Sequence, residues 1–139
     1  MNSLERIKGF EGFSSKPYSD IYNNLTIGYG RNLSSNGISM KEAEMFLESD
    51  YIRVKYELTT KVEGYQFMNE NAKAVLEDMC FNMGINKLLE FKKMLLYIRQ
   101  ELYNLAALEI VNSLYYKQLP SRAKANILLL NKNYKDDEK

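Results

Sequence analysis

Glu11, Asp20 and Thr26 are the residues of this chain whose types and spacing could do chemistry together. Cleaving a glycosidic bond needs a proton donor on one side of the bond. It also needs a carboxylate on the other side, to activate water or attack directly. Glu11 and Asp20 could supply these two groups, and the Thr26 hydroxyl could hold a water beside Asp20. Glu11 also breaks a local rule. A carboxylate in the last turn of a helix meets the negative end of the helix dipole, unfavourable by up to ~1 kcal/mol. Phe10 and Phe13 are expected to desolvate it as well. Both effects push a carboxyl pKa upward, as a general acid working near neutral pH requires, and such local conflicts tend to mark functional sites. Spacing alone leaves the alternative open. The chain has 18 acidic residues, enough for many accidental pairs, and a solvated surface glutamate is the commoner outcome.

The elements that must position these groups follow from pattern. Ser3 can cap a first helix carrying Leu4, Ile7 and Phe10 on one side, ending near Gly12. From Lys16 to Gly30 the character changes. Pro17 stops helix, and Tyr18, Ile21, Tyr22, Leu25, Ile27 and Tyr29 favour strand, with Asn23-Asn24 as a turn. A polar loop through Gly37 leads to Ser39-Met40-Lys41-Glu42, a capping box in which serine and glutamate satisfy each other's N–H groups. The helix it opens carries Ala43, Phe46, Leu47, Tyr51, Val54 and Leu58. Asn69 or Asn71 opens the next, with Ala72, Val75, Leu76, Met79, Cys80 and Met83 as an apolar stripe ended by Gly84. Further helices are expected over roughly Lys87–Gln100, Asn104–Asn112 and Ser121–Asn131. This predicts one domain: an N-terminal α/β lobe over about 12–38, a joining helix over about 39–58, and a helical lobe over about 59–131 that includes helix 3–11. A polar, frayed tail over 132–139 follows. A polymer would lie in a cleft between such lobes.

Composition narrows the chemistry. A chain of 139 residues is long enough to bury a core. Its net charge of +1 gives no basic field of the kind that advertises nucleic-acid binding. The chain has no histidine, which removes a Ser-His-Asp triad, a Cys-His pair and a His-ligated zinc. Cys80 is the one cysteine, expected as a buried free thiol. No stretch reads as a secretory signal or as a membrane span.

The run from Glu11 to Gly30 resembles the catalytic signature of the T-even phage lysozymes, glycoside hydrolase family 24. That pattern is a glutamate, eight residues, an aspartate or cysteine, five residues, a threonine, and a strand reading T-I-G-x-G. Here it falls on Glu11, Asp20 and Thr26-Ile27-Gly28-Tyr29-Gly30. Ser39 to Asp50 resembles the start of the family's interlobe helix, Phe81-Asn82-Met83-Gly84 its central-helix motif, and Tyr115 to Lys124 its late segment. Together the matches cover roughly residues 3–130. The resemblance implies an α+β, predominantly helical, lysozyme-like two-lobed fold. It implies hydrolysis of the β-1,4 bond between N-acetylmuramic acid and N-acetylglucosamine with inversion. Glu11 would be the general acid, and Asp20 with Thr26 would activate water. Tyr18, Gly30, Asn32, Phe81 and Asn82 would line the substrate, and Arg122 would pair with Glu11. No cofactor or metal is implied.

Where the family has histidine after T-I-G-x-G, this chain has Arg31, expected to pair with Asp50. The segment before the capped helix is short, and Tyr115 stands for the family's tryptophan. Tyr18, Tyr22 and Tyr29 could stack sugars, although aromatics in a small hairpin are more often its packing face. The partner expected is a peptidoglycan glycan strand, with no nucleic acid and no membrane, bound by a monomer. The role expected is a phage or prophage endolysin, made in the host cytoplasm and released through a holin to the cell wall. The rival readings are a lytic transglycosylase, an inactive wall-binding module of the same fold, and a tail-associated or injected effector with the same chemistry.

Overall fold

The computed structural model describes residues 2–136, and the α+β, predominantly helical class expected from the sequence is the class it has. Two compact units divide at Phe46 and Leu47, within one continuous helix.

The first unit opens with α1, Ser3–Glu11. Its cap is Asn2 rather than Ser3: the Asn2 carboxamide oxygen accepts the Glu5 N–H at 2.9 Å. Gly12, at φ 67°, ends the helix. Strands β1 (Ser14–Ser19), β2 (Leu25–Gly28) and β3 (Arg31–Asn32) form an antiparallel sheet in that order. The β1–β2 register slips between Ser14 and Tyr18. Pro17 lies in that interval, and an edge strand with a bulge is where a residue lacking an N–H is tolerated. Asn23 turns the β1–β2 hairpin at φ 63°, as its tolerance of positive φ allows. The T-I-G-x-G run is strand only as far as Gly28; Tyr29 and Gly30 form the turn into β3. A short helix, α2 (Leu33–Asn36), occupies the stretch read from sequence as loop.

The capping box forms as the sequence predicts. The Glu42 N–H donates to the Ser39 hydroxyl at 3.1 Å, and the Ser39 N–H donates to the Glu42 carboxylate at 2.9 Å. It opens α3, Met40–Lys61, of which only the C-terminal half, through Val54 and Leu58, is buried.

The second unit is helical: α4 (Glu70–Met83), α5 (Ile85–Leu89), α6 (Lys92–Arg99), α7 (Tyr103–Val111), α8 (Leu114–Gln118) and α9 (Pro120–Asp136) follow a 3-10 turn at Tyr65–Phe67. Asn69 caps α4 through the Ala72 N–H, and the expected stripe Ala72, Val75, Leu76, Met79 and Cys80 is buried. The single helix expected over Lys87–Gln100 is two, because the chain turns at Glu90 and Phe91. Pro120 begins α9 at the position where its missing N–H costs nothing. That helix runs past Asn131, so the expected polar tail starts later than read, and residues 137–139 of it lie outside the described residues.

Magnitudes show what holds this unit. Each fully buried leucine, such as Leu58, Leu76 or Leu88, is worth about 1.5–3 kcal/mol. An exposed pair such as Arg53–Asp50 is worth about 1 kcal/mol or less. The core decides.

Arg31 lies between Glu42 and the loop carbonyl of Gly37. Its guanidinium donates to both Glu42 carboxylate oxygens, at 3.1 and 2.5 Å, and to the Gly37 oxygen at 3.0 Å. The expected partner, Asp50, is instead paired with Arg53 on its own helix. Glu42 wins because the capping box already fixes its carboxylate beside the loop. The Arg31 hydrogen bonds, then those from the Ser39 N–H and hydroxyl, hold the Glu42 carboxyl down at about 2 against an ordinary 4.5. The stabilisation this represents is complete above the unfolded value and is lost as pH falls through the folded one. We expect the melting-temperature gap between wild type and Glu42→Gln to be constant above about pH 5 and to shrink towards pH 2. A gap independent of pH over that range would count against the pair.

Candidate active site

The first unit gathers Glu11, Tyr18, Asp20, Thr26, Gly30, Arg31 and Asn32, and the second holds Asp50, Phe81, Asn82 and Arg122. Within the first unit the three strands set a row. Thr26 on β2 stands opposite Tyr18 on β1 and Asn32 on β3. Thr26 is the one fully buried residue of this unit among the described residues. Its hydroxyl is satisfied by donating to the Asn24 carbonyl at 3.0 Å, which leaves the oxygen's lone pairs as acceptors.

Asp20 follows directly on β1 and is locked by the turn it begins. One carboxylate oxygen accepts the N–H groups of Tyr22 at 2.9 Å and Asn24 at 2.8 Å. The Asp20 N–H also donates to the Asn24 carbonyl at 2.9 Å. Aspartate is suited to this because its short side chain reaches backbone donors two and four residues ahead. Its other oxygen has no hydrogen-bond partner among the described residues. A carboxylate held by two backbone donors keeps its orientation without a side-chain clamp.

Glu11 ends α1 and rests against the turn between β2 and β3. A Cβ placed on Gly30 would lie 2.8 Å from the Glu11 carboxyl carbon, closer than real Cβ contacts come. Gly30 also sits at φ 76°, a left-handed conformation that disfavours every side chain. The positive φ calls for glycine here, and a side chain would in addition push the Glu11 carboxylate out of its place. The Glu11 carboxylate accepts no hydrogen bond among the described residues and is exposed. Phe10 and Phe13, expected to cover it, are themselves 76% and 68% exposed, so that part of the expectation is corrected.

Asn32 uses its carboxamide oxygen to cap α2 through the Ser35 N–H at 2.9 Å, and its amide donors remain available. Tyr18 is 38% exposed beside this row.

In the second unit, Asn82 lines a groove of about 330 Å³ with Tyr115, Gln118, Lys87 and Glu90, and Phe81 does not. Arg122 has Asp78 as its partner where the resemblance implied Glu11. Its Nε and Nη2 donate to both Asp78 oxygens at 2.7–3.1 Å. Asn126 donates to Asp78 at 3.0 Å and to the Tyr115 hydroxyl at 2.9 Å. Packing of α4 on α9 explains the choice, since Arg122 and Asn126 are one turn apart and meet the same residue of α4. Burial pushes the Asp78 carboxyl up, but the Arg122 and Asn126 hydrogen bonds outweigh it and hold it low. Burial chiefly raises the Tyr115 phenol. Sequence reasoning missed Asp78; the only signal was a charge set directly against the apolar stripe of α4.

The family profile described as Phage lysozyme matches residues 8–120, a span that contains Glu11, Asp20, Thr26, Gly30 and the groove of Asn82. "Probable T4-type lysozyme 2" of Dictyostelium discoideum is 27% identical over 148 residues, covering 86% of this chain and 87% of that protein. The profile takes in most of the chain, and beneath it lie the small antiparallel sheet and the helical unit that such a fold requires. The chain belongs to the phage lysozyme family and is a lysozyme-type peptidoglycan hydrolase.

Proposed function

We propose that this hydrolase is an N-acetylmuramidase, cutting the β-1,4 bond between N-acetylmuramic acid and N-acetylglucosamine, with Glu11, Asp20 and Thr26 as its catalytic residues. One observation carries the reading. Glu11, a carboxylate without a hydrogen-bond partner among the described residues, rests on a glycine that leaves it room, in the same unit as a second carboxylate, Asp20, oriented by two backbone donors.

Glu11 donates its proton to the leaving glycosidic oxygen as the bond lengthens. A water donates one hydrogen bond to the free Asp20 oxygen and another to Thr26 Oγ1, whose own proton is already engaged by Asn24. That leaves a water lone pair for the anomeric carbon, and Asp20 takes the proton as the C–O bond forms. Attack by this water, opposite the leaving group, gives inversion. A transglycosylase would need no such water, so the Asp20–Thr26 pair favours hydrolysis. The amide donors of Asn32 and the ring of Tyr18 border the same strand row and contact the sugar beside the cut. Delivery is by release through a holin after synthesis in the host cytoplasm, as a phage or prophage endolysin acting on the cell wall as a monomer.

Turbidity of bacteria stripped of their outer membrane tests the assignment. The wild type clears the suspension, while folded Glu11→Gln and Asp20→Ala do not. Clearing by either variant at wild-type rate would remove that residue from the mechanism. Gly30→Ala is a second test. Displacing Glu11 by about an ångström is expected to cost about 10²-fold in rate while the circular dichroism of the helical unit is unchanged. Full activity in Gly30→Ala would mean that the Glu11 position is not set by this turn.

A further inference from the structure

We propose that Phe13 and Tyr29 form a sugar-stacking platform beside Glu11, one that binds a pyranose ring of the glycan next to the cleaved bond. The inference rests on the muramidase reading and adds to it the residues that hold the polymer.

The two rings meet at 5.4 Å between centroids and are tilted by 49°, a favoured geometry for aromatic pairs. Both stay open to solvent, Phe13 68% and Tyr29 49% exposed. Each is held by its backbone. Phe13 follows Gly12, which ends α1, and Tyr29 stands between Gly28 and Gly30, both at positive φ. The Lys8 ammonium lies 5.5 Å from the Tyr29 ring centre and props it from α1. The hairpin-packing role that aromatics at such positions usually have describes this pair only in part: Tyr29 borders an apolar groove with Ile27 and Leu33, yet both rings keep about half or more of their surface open.

The position of the pair points to its occupant. Phe13 is two residues beyond Glu11, and Tyr29 precedes the glycine on which the Glu11 carboxylate rests. Lys8 and Glu11 of the same helix reach Tyr29 and Gly30 in turn, so the platform and the proton donor adjoin within a single unit. A ligand that reaches Glu11 through its glycosidic oxygen brings the adjoining ring to this pair. The axial C–H groups of a pyranose form an apolar face that suits an exposed aromatic ring, while its hydroxyl and acetamido groups stay hydrated at the edge. Neutral rings recognise the sugar and not its charge, so the platform serves N-acetylated glycan strands whatever peptide they carry.

Phe13→Leu and Tyr29→Leu keep apolar bulk and remove the aromatic face, and Tyr29→Phe keeps it. Turnover of peptidoglycan glycan is measured on the otherwise wild-type chain. Affinity for a peptide-free tetrasaccharide of alternating N-acetylglucosamine and N-acetylmuramic acid is measured by calorimetry on the Glu11→Gln background. We expect each leucine variant to raise KM and Kd about five- to tenfold with kcat within about twofold, and Tyr29→Phe to match the parent. Leucine variants that bind and turn over glycan like the parent would overturn the platform and leave the muramidase reading intact, as would a loss of stability with unchanged affinity. A parent chain that neither binds nor cleaves glycan would overturn the muramidase reading, and the platform with it.

Discussion

The approach of the Glu11 carboxylate to the Cα of Gly30 is the constraint on which the rest of the first unit depends. It requires a bare backbone at the turn, a chain that enters β3 in a left-handed conformation, and a helix that ends where its last side chain can reach the sheet. Gly12, Gly28 and Gly30, all at positive φ, meet these demands at the three points where the backbone must bend. Asn2 fixes the start of α1 and so the length along which Glu11 is carried. The sheet has only three short strands, which carry Thr26 and lead into the Asp20 turn. This unit has a buried threonine and an aspartate satisfied by backbone donors, and no apolar core of any size among the described residues.

Stability is concentrated elsewhere. The helical unit buries a continuous set of leucine, isoleucine, valine and methionine side chains around α4. Two polar clusters are paired within it, Asp78 with Arg122 and Asn126, and Glu77 with the hydroxyls of Tyr51 and Tyr65, while the buried Asn131 Oδ1 has no partner among the described residues. Removing one member of such a set leaves the other desolvated and unpaired, which is what makes these contacts specific to one packing of α4, α9 and the end of α3. The division of labour is physical. The proposed catalytic carboxylates, which must meet solvent, lie in the thinly buried unit, and the large apolar core lies in the other.

What could be read from sequence was what local rules control. The Ser39–Glu42 box, the buried stripe of α4, the Asn69 cap and the end of α1 at Gly12 each depend on residues a few positions apart, and each is present. The order of Glu11, Asp20 and Thr26 was legible for the same reason, since all lie within one short segment, whereas the turn at Tyr29 and Gly30 was read as strand. What was not legible depends on distant partners. Arg31 could be seen to need a carboxylate, but the choice of Glu42 over Asp50 depends on where the capping box places its second oxygen. Arg122 likewise could not be assigned to Asp78 until α4 and α9 were packed. The break at Glu90 and Phe91 was hidden because apolar residues recur at helical spacing straight through it. The exposure of Phe13, expected to cover Glu11, was hidden because periodicity speaks to which residues can be covered, not to which stay open; for Tyr29 both an open and a packed role could be read.

The proposed muramidase chemistry requires water to attack under Asp20 and Thr26 while Glu11 gives up its proton. Digesting purified peptidoglycan in water enriched in heavy oxygen, and weighing the released fragments by mass spectrometry, tests this directly. The account predicts that each new reducing end carries one heavy oxygen and that no anhydro sugar is formed. Fragments ending in unlabelled anhydro-muramic acid would contradict it, and would make Glu11 the sole catalytic carboxylate of a transglycosylase.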